Sequence, residues 1–108
     1  MAIVTMSEAD AMDRQVILDR LTAEGPGLRK KYGVKTLAVF GSMARGDDRE
    51  GSDVDILVTF EGRATFDSFM GLKLDLEDLL GRSVDLLTSK SLPPAIQDVI
   101  EKEAIRVP

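Results

Sequence analysis

Two aspartates one residue apart, Asp53 and Asp55, lie in the run DVDILVTF. Alternate residues of a strand emerge on one face, about 6 to 7 Å apart at the Cα level for a rise of about 3.3 Å per residue, so these carboxylates converge. Held close, they repel and raise one another's pKa unless a cation lies between them, and hard divalent cations such as Mg²⁺ prefer oxygen ligands. A third acid, Asp85, sits inside the apolar run SVDLLT. From a neighbouring strand, about 4.8 Å away, it can complete the site. Three acids on one sheet face suit one or two Mg²⁺ and in-line displacement at phosphorus, where paired metals stabilise the attacking and leaving oxygens. Upstream, the run VKTLAVF stops at Gly41-Ser42, with ten residues between that pair and Asp53. A glycine at a strand end lets the backbone approach a ligand closely, and the helical turn after it presents amides and a hydroxyl to phosphate oxygens. Arg45, one turn on, adds a cation for a triphosphate.

The rest of the chain narrows the chemistry to such groups. Without cysteine or histidine there is no thiol nucleophile, no zinc-thiolate site and no imidazole base. A length of 108 residues fits one domain, 1–108, and leaves no room for a second, acceptor-binding domain. The formal charge of -5 argues against direct binding to a nucleic acid backbone. The basic cluster LRKKYGVK reads as cations at a helix C-terminus, where they complement the dipole. No stretch approaches the roughly 20 apolar residues that cross a bilayer, and MAIVTMSEAD lacks the basic and apolar regions of a signal peptide. A soluble, cytoplasmic protein with no membrane partner is expected.

The elements that must position these residues follow from periodicity. Ser7 can cap a helix bearing Met12, Val16, Leu18 and Leu21, which falters at Gly25-Pro26-Gly27; a short second piece, Leu28 to Tyr32, ends at Gly33. VKTLAVF reads as a buried strand, and Ser42 to Gly46 as one helical turn. In DVDILVTF, Val54, Ile56, Val58 and Phe60 point one way and Asp53, Asp55, Leu57 and Thr59 the other, giving a dry face and a working face. Thr65 caps a helix with Phe69, Leu72, Leu76, Leu79 and Leu80 at helical spacing, ending at Gly81. SVDLLT is a third strand. Pro93-Pro94 opens a last helix with Ile96, Val99 and Ile100 inward, and AIRV closes as a short edge strand. The order predicts an α/β (α+β) fold, a mixed β-sheet flanked by helices.

Familiar short motifs do not fit: Gly-Lys-Ser/Thr of a P-loop is missing, and Asp-Val-Asp runs on as Ile-Leu-Val-Thr without the ligand spacing of an EF-hand. The whole segment GSMARGDDREGSDVDILV instead resembles the signature of the polymerase-β-like nucleotidyltransferase superfamily. The likeness extends over nearly the full chain to its minimal nucleotidyltransferases, the MNT antitoxin-type proteins that accompany HEPN ribonuclease toxins. That resemblance implies the minimal polymerase-β-like fold, with Asp53, Asp55 and Asp85 as catalytic residues binding Mg²⁺. It implies further that Gly41, Ser42 and Arg45 bind the nucleoside triphosphate. It also implies transfer of AMP from ATP to a hydroxyl, a tyrosine of a partner HEPN toxin, in a hetero-oligomer of toxin and antitoxin. Two other readings stay open: an antitoxin that neutralises by binding alone, and nucleotidyl transfer to a small molecule, which chain length disfavours.

Overall fold

The computed structural model describes residues 14–45 and 53–107. Four strands, β1 (Val34–Phe40), β2 (Val54–Phe60), β3 (Val84–Thr88) and β4 (Ile105–Val107), form one mixed sheet in the order β3-β2-β1-β4. β1 runs antiparallel to both β2 and β4, while β2 and β3 are parallel. Four α-helices are described with them: α1 (Arg14–Tyr32), α2 (Gly41–Arg45), α3 (Phe66–Leu80) and α4 (Pro94–Glu103). The mixed sheet with helices is the architecture expected from the sequence.

One sheet face is the core. Leu37, Val39, Val54, Ile56, Val58, Val84, Leu86 and Val107 pack there with Ile17 and Leu21 of α1 and Leu72, Leu76 and Leu80 of α3. Burying each such side chain fully contributes about 1.5 to 3 kcal/mol. The alternation in β2 is as read from the sequence. Leu57, on the acid side, is nevertheless buried, as is its cross-strand neighbour Ala38. α3 starts and stops where its residues dictate: Thr65 and Ser68 exchange hydrogen bonds as a capping box, and Gly81 takes the left-handed conformation at φ 66°.

Two expectations are corrected. The chain does not falter at Gly25-Pro26-Gly27, because α1 runs through it as one helix. Ile17, Leu21, Gly25, Leu28 and Tyr32 follow at steps of three or four and keep one face against the core through the Gly-Pro-Gly stretch. Packing of that face offsets the roughly 3 kcal/mol that an internal proline costs. Arg29, Lys30 and Lys31 do occupy the last turn, and Gly33, at φ 68°, ends the helix. The second correction concerns α4, which buries no residue fully: Ile96 and Val99 are 48% and 63% exposed, and Ile100 is half-buried. The core face is already filled by α1 and α3, so α4 has no apolar surface there to cover. Its contacts lie with α2 and β1. The caps and side chains assigned to Ser7, Met12 and Gly46 lie outside the described residues. No helix among the described residues is long and apolar enough to cross a membrane.

Candidate active site

The parallel pairing of β2 with β3 puts Asp55 directly beside Asp85 in register. Asp53 immediately precedes β2, exposed, while Asp55 is half-buried. Burial pushes the Asp55 carboxyl above the usual carboxylate range; the charges of Asp85 and Asp53 add to the rise, and the Arg45 guanidinium opposes it. One electrostatic field therefore joins all four residues. The acids are not closed into a finished cage, since among the described residues no three acidic side chains cluster as a ready metal site. The chemistry of the set still fits a hard divalent cation: the donors are all oxygens, and Asp55 carries repulsion that a cation would relieve.

Gly41 lies at the junction of β1 and α2, and its neighbour Phe40 faces Asp55 across the β1–β2 ladder. Its φ of 69° belongs to the left-handed region, and a Cβ placed there would come 2.1 Å from Asp55 Oδ2. The residue is glycine for two independent reasons. Sequence reasoning gave it to a ligand; the structure shows that the group lying closest is the carboxylate of Asp55. Ser42 follows, half-buried, and Met43, fully buried, pins the short α2 to the core. Arg14 Nη1 donates to the Ala44 carbonyl at 3.1 Å and ties α2 to α1.

Two further acids shape the site, and the motif did not include them. Glu77, near the end of α3, accepts the Val84 N–H at 2.9 Å and so fixes the strand residue before Asp85. That hydrogen bond, helped by Lys73, holds the Glu77 carboxyl below its usual range. Glu103, the last residue of α4, accepts from the Gly41 N–H at 3.0 Å and from Arg45 Nη1 at 3.2 Å. On the same sheet face as the acids, a cleft of about 320 Å³ is lined by Thr36, Ala38, Leu57, Thr59, Glu101 and Arg106. A second cavity, about 350 Å³, lies around Val58, Phe60, Arg63, Thr88 and Lys90 at the far ends of β2 and β3, away from the acids.

Comparison with known proteins agrees with this geometry. Residues 26–107 match the nucleotidyltransferase domain family. The chain is 39% identical over 107 residues to the protein adenylyltransferase MntA of Thermococcus cleftensis, covering 99% of this chain and 100% of that one. A solved structure described as a candidate minimal nucleotidyltransferase superposes with a TM-score of 0.76 at 39% identity, over 86% of this chain and 94% of the other. The MNT antitoxin solved in complex with a tri-AMPylated HEPN toxin of Shewanella oneidensis shares the fold, with a TM-score of 0.61 at 17% identity over 87% of this chain and 71% of that one. The chain thus belongs to the nucleotidyltransferase domain family and has the fold of a minimal nucleotidyltransferase.

Proposed function

We propose that this protein transfers AMP from ATP to a tyrosine hydroxyl of a partner HEPN toxin, with Mg²⁺, and thereby disarms the toxin. The observation that carries the proposal is the pairing of Asp55 with Asp85 across parallel strands, with Gly41 set against Asp55 without room for a side chain. The relative named a protein adenylyltransferase and the related antitoxin seen with an AMPylated HEPN toxin support the reaction and the class of partner.

Asp53 and Asp55, joined by Asp85, would hold Mg²⁺, which when bound neutralises charge on the triphosphate and on the leaving pyrophosphate. Ser42 and the backbone that follows Gly41 contact phosphate oxygens, and Arg45 supplies a cation beside them. Asp85, exposed on the edge strand β3, would take the proton of the acceptor hydroxyl. The acceptor oxygen forms its bond to the α-phosphorus as the bond to the bridging oxygen breaks, and pyrophosphate carries away the electron pair.

Titrating ATP by calorimetry with and without Mg²⁺ tests this assignment. Binding is expected only with the metal, because three like-charged carboxylates repel the triphosphate until a cation screens them. Equal affinity in both conditions would remove Asp53, Asp55 and Asp85 from the proposed role.

A further inference from the structure

The antiparallel pairing of β1 with β4 runs Leu37–Val107, Ala38–Arg106 and Val39–Ile105, then stops. Continued in the same register, it would set Gly41 opposite Glu103. At that step neither residue is in a strand: Gly41 has turned to φ 69° and opens α2, while Glu103 closes α4. The Gly41 N–H finds no ladder carbonyl and donates to the Glu103 carboxylate instead. The same oxygen, Oε1, accepts from Arg45. A single carboxylate therefore holds the first and last residues of the segment Gly41–Arg45. Its own backbone is anchored on both sides, by the Ala104 N–H to the Ile100 carbonyl at 2.9 Å and by β4, where Val107 is buried and its carbonyl accepts from Arg29.

We infer that Glu103 is a positioning residue for the triphosphate: it fixes the Gly41-Ser42 turn against Asp55 and aims the Arg45 guanidinium. The inference rests on the reading of that segment as the triphosphate contact. A carboxylate lying on an amide and a guanidinium is also what a competitor of phosphate would look like, and two considerations decide between the roles. A guanidinium has five N–H donors in a fixed fork and can serve Glu103 and an anion together. The Glu103 backbone, held between α4 and the paired β4, is placed as a strut and not on a segment that swings away. The Gly41 N–H, with its one proton, is committed to the strut, which assigns the phosphate contacts to the residues after it.

The test measures binding of a non-hydrolysable ATP analogue with Mg²⁺, and KM and kcat for transfer, in wild type, E103A, E103Q, R45A and the R45A/E103Q pair, with melting curves for each. E103A should weaken the analogue and raise KM for ATP about tenfold or more, in the range of losing a hydrogen bond to a charged group. E103Q keeps an acceptor for the Gly41 N–H and should recover part of that loss. Added to R45A, E103Q should cost nothing further, because its remaining effect passes through Arg45. Unchanged affinity in folded E103A would reduce Glu103 to a structural contact, and tighter binding would make it a competitor of the triphosphate; either overturns the inference. If E103A does not fold, the E103Q and R45A cycle decides, and additive losses there overturn it. Wild type that binds no analogue with Mg²⁺ would instead sink the reading of the site, and this inference with it.

Discussion

At the scale of single residues, Asp55 joins folding to the proposed function. Its folded pKa lies above the unfolded value of about 3.9, so the folded chain binds its proton more readily. Ionisation of Asp55 then works against the fold: the penalty is absent below the unfolded pKa, grows as pH rises towards the folded pKa, and is complete above it. Asp55→Asn should therefore melt higher than wild type at pH 7 without metal, with the gap closing as pH falls towards 4. Melting curves across that range check the sign, and a gap that widens on acidification would contradict it. Mg²⁺ should raise the melting temperature of wild type and leave Asp55→Asn unmoved. Ser42→Ala should spare the fold and lower transfer about 10- to 200-fold, the equivalent of one hydrogen bond to a charged group worth about 1.5 to 3 kcal/mol. A wild-type rate would remove the hydroxyl from phosphate binding.

At the scale of elements, the site depends on how α1, α3 and the sheet are fastened. Gly71 in α3 lets Tyr32 of α1 close over it: a Cβ there would sit 2.8 Å from Tyr32 Cε1. The ring is held in place by its hydroxyl, which donates to Asp75, itself bonded to Lys31 Nζ at 3.0 Å. Gly71→Ala should thus destabilise by about 1 to 2 kcal/mol in denaturant titration, overpacking outweighing the gain of about 1 kcal/mol in helix propensity. Stabilisation would show that the Tyr32 ring can give way. The strands, the Thr65 cap and the Gly81 stop were legible in the sequence, because each is set by local alternation or by one special residue. The unbroken α1 was obscured because Gly-Pro-Gly is a strong local stop, and only the spacing of Ile17, Leu21, Leu28 and Tyr32 on both sides of it shows that one face continues. The outward stripe of α4 was misread because a helical period gives a face but not what that face meets. Asp53, Asp55 and Gly41-Ser42 stood out through their spacing. Glu103 did not, since its place depends on a pairing register between segments more than sixty residues apart.

At the scale of the molecule, an acidic chain of net charge -5 concentrates three carboxylates where a highly charged anion is proposed to bind. The proposed metal dependence would follow from that electrostatic fact as much as from the chemistry. The fold supplies the sheet face, the Gly-Ser turn and the acids, while in the proposed reaction the acceptor comes from the partner. α4 leaves Ile96 and Val99 in solvent, so the side of the molecule carrying the site is less completely packed than the core side. The central claim is catalysis by the acids, and the most direct measurement incubates the protein with labelled ATP, Mg²⁺ and the proposed HEPN partner and follows the partner by mass spectrometry. Wild type should add AMP to a partner tyrosine. The Asp53→Asn, Asp55→Asn double variant should add none while melting at the same temperature or higher, because the change removes charge and keeps shape. Equal labelling by the variant would contradict the catalytic assignment, and neutralisation of the toxin by both proteins without labelling would show an antitoxin that works by binding alone.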